Sequence, residues 1–266
     1  MTAPLDTDAG AGDTTVAGAH PLDTTVAGVA PSGTTVASTD SLDTTIAGVT
    51  VTVDATAVRV RSLRPLRVLS SALVGGGFGE TREIVNMHVD DVAPDSSPEV
   101  DLRTFATRLG IGESFVGLMT AAATEHARLA VAAEGALTAA AVVSVGLSNT
   151  VCAGVTAPGP AAPGTINAIV LLDVDLTPAA MVNAVITATE AKAMALGEWQ
   201  VEDAAGAPAS GTSTDAVVVA CSGRGAPLDY AGPGTPIGYL LARAVRAAIG
   251  RICREKVARD GGRRGW

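Results

Sequence analysis

The sequence predicts an α+β fold in which two long C-terminal helices pack on one or more mostly antiparallel sheets. Short segments rich in Val, Leu and Ala, separated by Gly and Pro, indicate strands, and two late segments have helical periodicity. The 266 residues, 47% hydrophobic and 17% charged, are enough to bury a sizeable core. Aromatic residues make up only 3%, which leaves little for base stacking, so we expect no nucleic-acid partner.

Seven segments predict strands because they are apolar, rich in β-branched residues and bounded by turn-forming residues. Three of them, between residues 114 and 147, follow one another closely, which favours antiparallel pairing through short turns. The seven segments are residues 66–73, 83–89, 114–120, 127–133, 138–147, 166–172 and 215–221.

The clearest helix covers residues 178–196. Thr177 is a natural N-cap, and Pro178 occupies the first helical position, where its missing N–H costs nothing. Gly197 is expected to end this helix. Residues 237–257 form the last predicted helix, and residues 100–109 form a shorter one.

A ten-residue repeat begins the chain. Asp-Thr-Thr-Val-Ala-Gly at 13–18 recurs at 23–28, and related units occupy 33–38 and 43–48. Each unit offers one Val or Ile, too little apolar surface to offset the entropy of an ordered chain. We therefore expect residues 1–57 to be a disordered tail, residues 58–258 to form one domain, and basic residues 259–266 to form a second disordered tail.

The distribution of charge and the number of cysteines limit the cellular locations and partners that we expect. The chain has a net charge of −9. Seven Asp and no basic residue precede Arg59, so most of the negative charge lies there and the rest of the chain is close to neutral. The cysteines, Cys152, Cys221 and Cys253, are odd in number and irregular in spacing, which argues against a disulfide framework. With no secretion pattern at Met1 and no long apolar run, we expect a cytoplasmic protein without a membrane partner. The sequence does not decide whether the protein forms a homo-oligomer.

Several strings are more specific than the glycine-rich loop at 75–79. They include Asn-Met-His-Val at 86–89, Gly-Thr-Ile-Asn at 164–167 and Gly-Thr-Ser-Thr-Asp at 211–215, with further strings at 117–121, 145–149, 180–192 and 230–232. Together they make residues 59–250 resemble the adenosylcobinamide amidohydrolase (CbiZ) family. The run at 180–192 is the most specific of them.

The resemblance implies hydrolysis of the amide that joins the f-side-chain propionyl group of the corrin ring to 1-amino-2-propanol. Adenosylcobyric acid would be the product, in corrinoid salvage for cobalamin biosynthesis, and adenosylcobinamide the partner. The family pattern leads us to expect a His shortly after residues 230–232, where this chain has Gly234. The alternative is therefore a corrinoid-binding paralogue without catalysis.

Amide hydrolysis needs a nucleophile, a proton shuttle and donors to the developing oxyanion. His88 is the expected shuttle, with Asn86 beside it in the same matched string. His20 lies in the repeat and His126 in a predicted surface turn. For a lone strand histidine, a hydrogen-bonded core residue is the alternative.

The helix at 178–196 carries the second catalytic candidate. At about 100° per residue, Asn183, Thr187 and Glu190 share a strip that is flanked by packing faces on both sides. We expect this strip to line a pocket where Glu190 acts as general acid or base beside His88. A hydrogen-bonded seam against the sheet is the alternative, and Lys192 points nearly opposite Glu190.

Polar residues of the matched strings are candidates for binding the amide-rich corrin, although turn or cap chemistry is the alternative for each. Thr120 is also the candidate nucleophile of an unrelated hydrolase, and Cys221 is expected to be a core residue. The His, Cys and acidic residues do not have the spacing of zinc ligands, and the glycine-rich loop at 75–79 lacks the Lys of a nucleotide-binding loop. We therefore expect neither a bound metal nor a cofactor. The substrate-binding candidates are Asn149, Asn167, Asn183, Thr187, Thr120, Thr214, Asp215, Tyr230 and Thr235.

Overall fold

The computed structural model describes residues 40–89, 97–159, 164–263 and 266. The strands of this part are β1 (Asp40–Asp43), β2 (Val49–Val53), β3 (Ala57–Ser70), β4 (Gly77–His88), β5 (Val116–Thr120), β6 (Arg128–Glu134), β7 (Leu137–Val145), β8 (Thr150–Val151), β9 (Ile166–Leu172), β10 (Gly211–Thr212) and β11 (Ala216–Cys221). The helices are α1 (Pro98–Arg108), α2 (Pro178–Glu198) and α3 (Pro236–Arg259), with a 3-10 turn at Thr124–His126.

The predicted fold class is wrong in its sheet and in its helices. Nine strands form one mixed sheet in the order β1-β2-β3-β11-β9-β7-β6, with β4 joined to β3 and β5 joined to β4. The pairs β4–β5 and β9–β11 are parallel. The fold class named two long helices, whereas three helices cover the sheet in the described part of the chain; the third, α1, corresponds to the shorter helix predicted at residues 100–109. The short strands β8 and β10 pair separately.

The parallel pairs follow from the helices between their strands. The chain passes through α1 between β4 and β5, and through α2 between β9 and β11. A strand–helix–strand crossover returns the chain in its original direction, which makes the two strands parallel. The strand β5 therefore does not join β6 and β7 in the predicted antiparallel series, although β6 and β7 do pair antiparallel.

A long bent strand curls the sheet into a near-barrel. The first half of β3 lies between β2 and β4, and its second half lies between β4 and β11. The register of the β3–β4 pair shifts between Arg61 and Leu66, where the sheet bends. Ile84 of β4 and Leu118 of β5 consequently share one apolar core with Ile169 of β9.

The helices cover the outside of this near-barrel. Val170 and Leu172 face α2 and α3, whereas Ile169 and Leu171 face the barrel interior, so β9 is buried on both sides. Helix α1 covers the outer face of β4 and β5. Helix α2 begins at Pro178 with the predicted Thr177 cap, but it continues through Gly197 to Glu198. Among the described residues, no helix is both long and apolar enough to span a membrane.

The last repeat unit is ordered, so the predicted boundary at residue 57 comes too late. Asp43 Oδ1 accepts a hydrogen bond from Thr45 N at 2.7 Å, and Thr44 Oγ1 accepts one from Ile46 N at 3.1 Å. These bonds form the turn between β1 and β2. Ile46 is only 4% exposed and packs in the barrel core, which supplies the apolar partners that an isolated repeat lacks.

The ends of the chain test the two predicted tails only in part. The first three repeat units lie outside the described residues. At the other end, α3 includes Arg259, and Trp266 packs against the core beneath α2 and α3. Residues 264 and 265 lie outside the described part.

We predict that Ile46→Ala lowers the free energy of unfolding by about 2–5 kcal/mol, because it leaves a cavity in the barrel core. Urea unfolding followed by circular dichroism measures the change. Leu63→Ala is the control, since Leu63 is 78% exposed and its loss should change stability by no more than about 0.5 kcal/mol. Equal urea midpoints for Ile46→Ala and the wild type would show that the last repeat is not part of the fold.

Candidate active site

Polar side chains gather inside one end of the near-barrel. Alternation along β4 points Asn86 and His88 to the same side as Ile84, which faces the barrel core. By the same alternation Ser144 on β7 and Asn167 on β9 also face inward. The ends of strands from both sides of the barrel therefore bring together residues that are far apart in the sequence.

Two buried amides join the strands at this end. Asn167 Nδ2 donates to Asn86 Oδ1 at 2.8 Å and to the carbonyl oxygen of Met119 at 2.8 Å. Asn86 Nδ2 in turn donates to Ser144 Oγ at 2.9 Å. A carbonyl oxygen only accepts, so the Met119 contact fixes the orientation of the Asn167 amide and, through it, that of Asn86. We call these contacts of Asn86, Met119, Ser144 and Asn167 the amide network.

His88 is held in one tautomer beside the amide network. Its Nδ1 lies 3.0 Å from the carbonyl oxygen of Ala122. Because this oxygen can only accept, Nδ1 carries the proton, and in the neutral ring Nε2 is the basic nitrogen. Thr120 lies opposite His88 in the β4–β5 register, and its Oγ1 accepts from Ala122 N at 3.0 Å. Ala122 therefore positions both side chains.

Asp215 is saturated with partners rather than open to a ligand. Its carboxylate accepts from Ile166 N at 2.9 Å and Thr212 N at 3.1 Å, and also from Thr212 Oγ1 and Lys192 Nζ. The side chains of Asp215 and Lys192 are 11% and 10% exposed. The geometry gives Asp215 a structural position beside the site.

Sequence reasoning missed the partnership of Lys192 with Asp215. A signal was present, because Lys192 lies among Ala188, Ala191 and Ala195 on the alanine face of α2, and all four residues are buried. A lysine on a buried face requires an anionic partner, and the Asp of the 211–215 string was an available one.

Two other candidates lie near the start of β9. Asn149 Nδ2 donates to Ser213 Oγ at 2.8 Å. Thr214 is exposed, and its Oγ1 donates to the carbonyl oxygen of Gly164 at 3.1 Å. Thr214 thus contacts the segment that leads into β9, and Asn149 contacts the turn that precedes β11, so neither side chain is part of the amide network.

The remaining candidates lie on the helix side of the sheet. Thr187 Oγ1 donates to the carbonyl oxygen of Ala231 at 2.9 Å, and Thr235 caps α3 by accepting from Gly238 N at 3.1 Å. Tyr230 is 71% exposed, and Asn183 is half-buried on α2. The contact of Thr187 corresponds to the hydrogen-bonded seam, and that of Thr235 to the helix cap, which were the alternatives to substrate binding.

Glu190 is exposed on α2, which differs from the pocket-lining position that we expected. Helix α2 packs on the outer face of the sheet, whereas His88 points into the barrel, so the sheet separates the two side chains. The helical period fixes the angles between residues of one helix but not the face that packs on the sheet. The alanine face packs there, because small side chains allow close approach.

A cavity of about 390 Å³ lies between the end of β7 and the end of α3. His126, Ser148, Lys256, Arg259 and Trp266 are among its lining residues. His126 lies on a turn, as predicted, but it is half-buried there, and burial, followed by the charge of Arg259, lowers its pKa. Within the described ranges, no three His, Cys, Asp or Glu side chains are grouped so that they could hold a metal ion.

Comparison with known proteins identifies similar chains. A family model described as adenosylcobinamide amidohydrolase matches residues 42–260. An adenosylcobinamide amidohydrolase from Halobacterium salinarum is 37% identical over 191 residues, which cover 69% of this chain and 78% of that protein. One from Methanosarcina mazei is 35% identical over 185 residues, which cover 66% and 84%. The matched range contains β2 to β11 and all three helices.

We predict that Gly211→Ala destabilises the protein by about 1–3 kcal/mol, because overpacking strains a full site. A Cβ at this position would overlap Asp215 Oδ2 and come within 2.5 Å of Lys192 Nζ. Gly197→Ala is the control, since a Cβ there meets nothing within 4 Å and should stabilise the helix by roughly 0.5–1 kcal/mol. Equal or greater stability of Gly211→Ala in urea unfolding would contradict the packing described around Asp215.

We predict that two of the three thiols are inert in the native protein. Burial raises the pKa of both Cys221 and Cys253 to about 12, so neither forms the reactive thiolate at about pH 8. Cys152 is half-buried and should be the thiol that reacts with a chromogenic disulfide reagent. The remaining two should react only after unfolding in guanidinium. Rapid native reaction of more than one thiol would contradict the burial of Cys221 and Cys253.

Proposed function

Because the chain belongs to the adenosylcobinamide amidohydrolase family, we propose that it hydrolyses the aminopropanol amide of adenosylcobinamide at the amide network. The family supports the reaction and the substrate. The hydrogen bond between His88 Nδ1 and the Ala122 carbonyl supports the location, because it orients a base beside buried amide donors. The products are adenosylcobyric acid and 1-amino-2-propanol.

His88 is suited to move the proton in both halves of this reaction. With Nδ1 bonded to Ala122, the basic Nε2 can take a proton from the attacking water as it adds to the amide carbonyl. The resulting imidazolium can return that proton to the nitrogen of the leaving aminopropanol. The C–N bond then breaks, and the oxygen of the water remains in the new carboxylate.

Asn86 is the proposed donor to the oxyanion. Its Nδ2 carries two protons, of which Ser144 Oγ accepts one, so the second can donate to a tetrahedral oxyanion. Its Oδ1 is held by Asn167, which prevents the amide from rotating. Such prior orientation is what makes a hydrogen-bond donor effective in a transition state.

The departure at Gly234 does not remove a group from this site. Gly234 directly precedes the Thr235 cap of α3, in a segment joined to the C-terminal side of β9 through Thr177 N and the Leu228 carbonyl. The amide network lies at the opposite end of β9. A histidine at 234 would therefore act elsewhere, and its absence favours no paralogue without catalysis.

The proposed role is corrinoid salvage for cobalamin biosynthesis, and the proposed location is the cytoplasm. The three cysteines are free in the structure, which suits a reducing compartment.

His88→Gln should lower kcat by about 100-fold or more, because it removes the base and keeps a side chain of similar polarity. Mass spectrometry of adenosylcobyric acid released from adenosylcobinamide measures turnover. His126→Gln is the matched control, since His126 lies on the 3-10 turn outside the amide network and should keep wild-type turnover. Wild-type protein that releases no adenosylcobyric acid would contradict the function, and an active His88→Gln variant would contradict the location.

Thr120→Val distinguishes water from a threonine nucleophile at the same site. The substitution keeps the shape of the side chain but removes the hydroxyl that lies beside His88. Attack by water predicts residual turnover within about ten-fold of wild type, since one hydrogen bond to Ala122 N is lost. Complete loss of turnover in the folded variant would instead assign the nucleophile to Thr120.

A further inference from the structure

The buried pair of Lys192 and Asp215 connects three elements at the end of the sheet that carries the amide network. Lys192 reaches from α2, Asp215 directly precedes β11, and Ile166, whose N–H the carboxylate accepts, begins β9. A buried ion pair is a weak source of stability, because desolvation offsets its attraction. The position of this pair therefore calls for a reason other than stability.

The turn that carries Asp215 clamps the start of β9 at several points. Besides the Asp215 contact with Ile166 N, Thr165 Oγ1 donates to the Thr214 carbonyl at 2.8 Å. Thr214 Oγ1 donates back to the Gly164 carbonyl at 3.1 Å. The next residue, Asn167, supplies the amide that holds Asn86. The ion pair thus lies one short segment away from the amide network.

We propose that the Lys192–Asp215 pair is a positioning device for hydrolysis, an inference that rests on the proposed function. The cation on α2 fixes the carboxylate, and the carboxylate fixes the first residue of β9. The start of β9 then sets the position of Asn167 and, through it, of Asn86, two residues before His88 on β4. Lys192 contacts neither the amide network nor His88 in the described structure, so its effect passes through Asp215.

A purely structural role predicts a different result from a positioning role. A structural pair, once removed, lowers the melting temperature but leaves the turnover of the folded molecules unchanged. A positioning pair lowers kcat of the folded molecules, because small displacements of reacting groups are costly even when they start from a distant change. KM should change little, since the pair lies outside the binding groups that we propose.

Lys192→Met is the main test, because it keeps the length of the side chain and removes its charge. We expect kcat to fall about ten-fold or more, with KM within about three-fold, below the melting temperature of the variant. Amide hydrogen exchange should accelerate in the peptide that contains Ile166 and Asn167, and also in the peptide that contains Asn86.

Arg246→Met is the matched control on the same pair of helices. Arg246 of α3 pairs with Glu198 of α2, but these side chains are 43% and 47% exposed and contact no residue of the amide network. An exposed pair contributes little, so kcat and the exchange of both peptides should match the wild type. An equal fall in kcat in both variants would overturn the positioning role.

Thr212→Val keeps the test decisive if Lys192→Met fails to fold. This substitution retains the ion pair and the side-chain shape and removes only the hydroxyl that donates to Asp215. Loss of one hydrogen bond predicts a fall in kcat of about two- to ten-fold, with faster exchange at Ile166. Wild-type kcat and wild-type exchange in a folded variant would overturn the proposal.

The exchange measurement separates this inference from the proposed function. If wild-type protein does not hydrolyse adenosylcobinamide, the function is wrong, but the positions of Ile166, Asn167 and Asn86 still depend on Lys192 if the inference is right. Faster exchange at these residues in Lys192→Met, and not in Arg246→Met, supports the device. Unchanged exchange in both variants contradicts it whatever the substrate is.

Discussion

The side-chain amide of Asn167 is the contact on which the site depends. It extends from β9 across the end of the near-barrel and donates both of its protons, one to Asn86 on β4 and the other to the Met119 carbonyl on β5. Buried polar groups must be paired, so this end of the barrel can close only in the arrangement that satisfies them. The same arrangement places His88 and Thr120 side by side on the inner face of the sheet.

The outer and inner faces of the sheet have different roles. Helices α2 and α3 bury an apolar face on the outside of β9 and supply one charged side chain, Lys192, at its end. The barrel interior is apolar along most of its length and becomes polar where β4, β5 and β7 end. A rigid apolar barrel with a polar end is a suitable scaffold for catalysis, because packed strands hold hydrogen-bonding groups more firmly than loops do.

Local signals predicted the elements of this fold well. The strand at 166–172 and the start of the helix at Pro178 match the structure, because a buried apolar run and a Thr-Pro cap act within a few residues. Pairing is a long-range property, so the parallel pairs and the bend of β3 required the tertiary structure. The order of residues 43–48 was missed for the same reason, since the apolar partners of Ile46 lie in distant strands.

The residues of the candidate site also fall into those that the sequence could identify and those that required the tertiary structure. Asn86, His88 and Asn167 could be chosen from sequence because they lie near the ends of predicted strands in strings that resemble the family, and the structure brings them together. Glu190 and Lys192 share one helix, and sequence alone could not decide which of them faces the sheet. Ser144 was missed, because a serine near the end of an apolar strand carries no signal until its partner, Asn86, is known.

The most direct measurement is a crystal structure of the His88→Gln variant with adenosylcobinamide bound. We expect the aminopropanol amide to lie at the polar end of the barrel, with its carbonyl oxygen about 3 Å from Asn86 Nδ2 and its carbon open to a water beside residue 88. An amide bound instead against Glu190 on the outer face of α2, or in the cavity beside Lys256, would contradict the account.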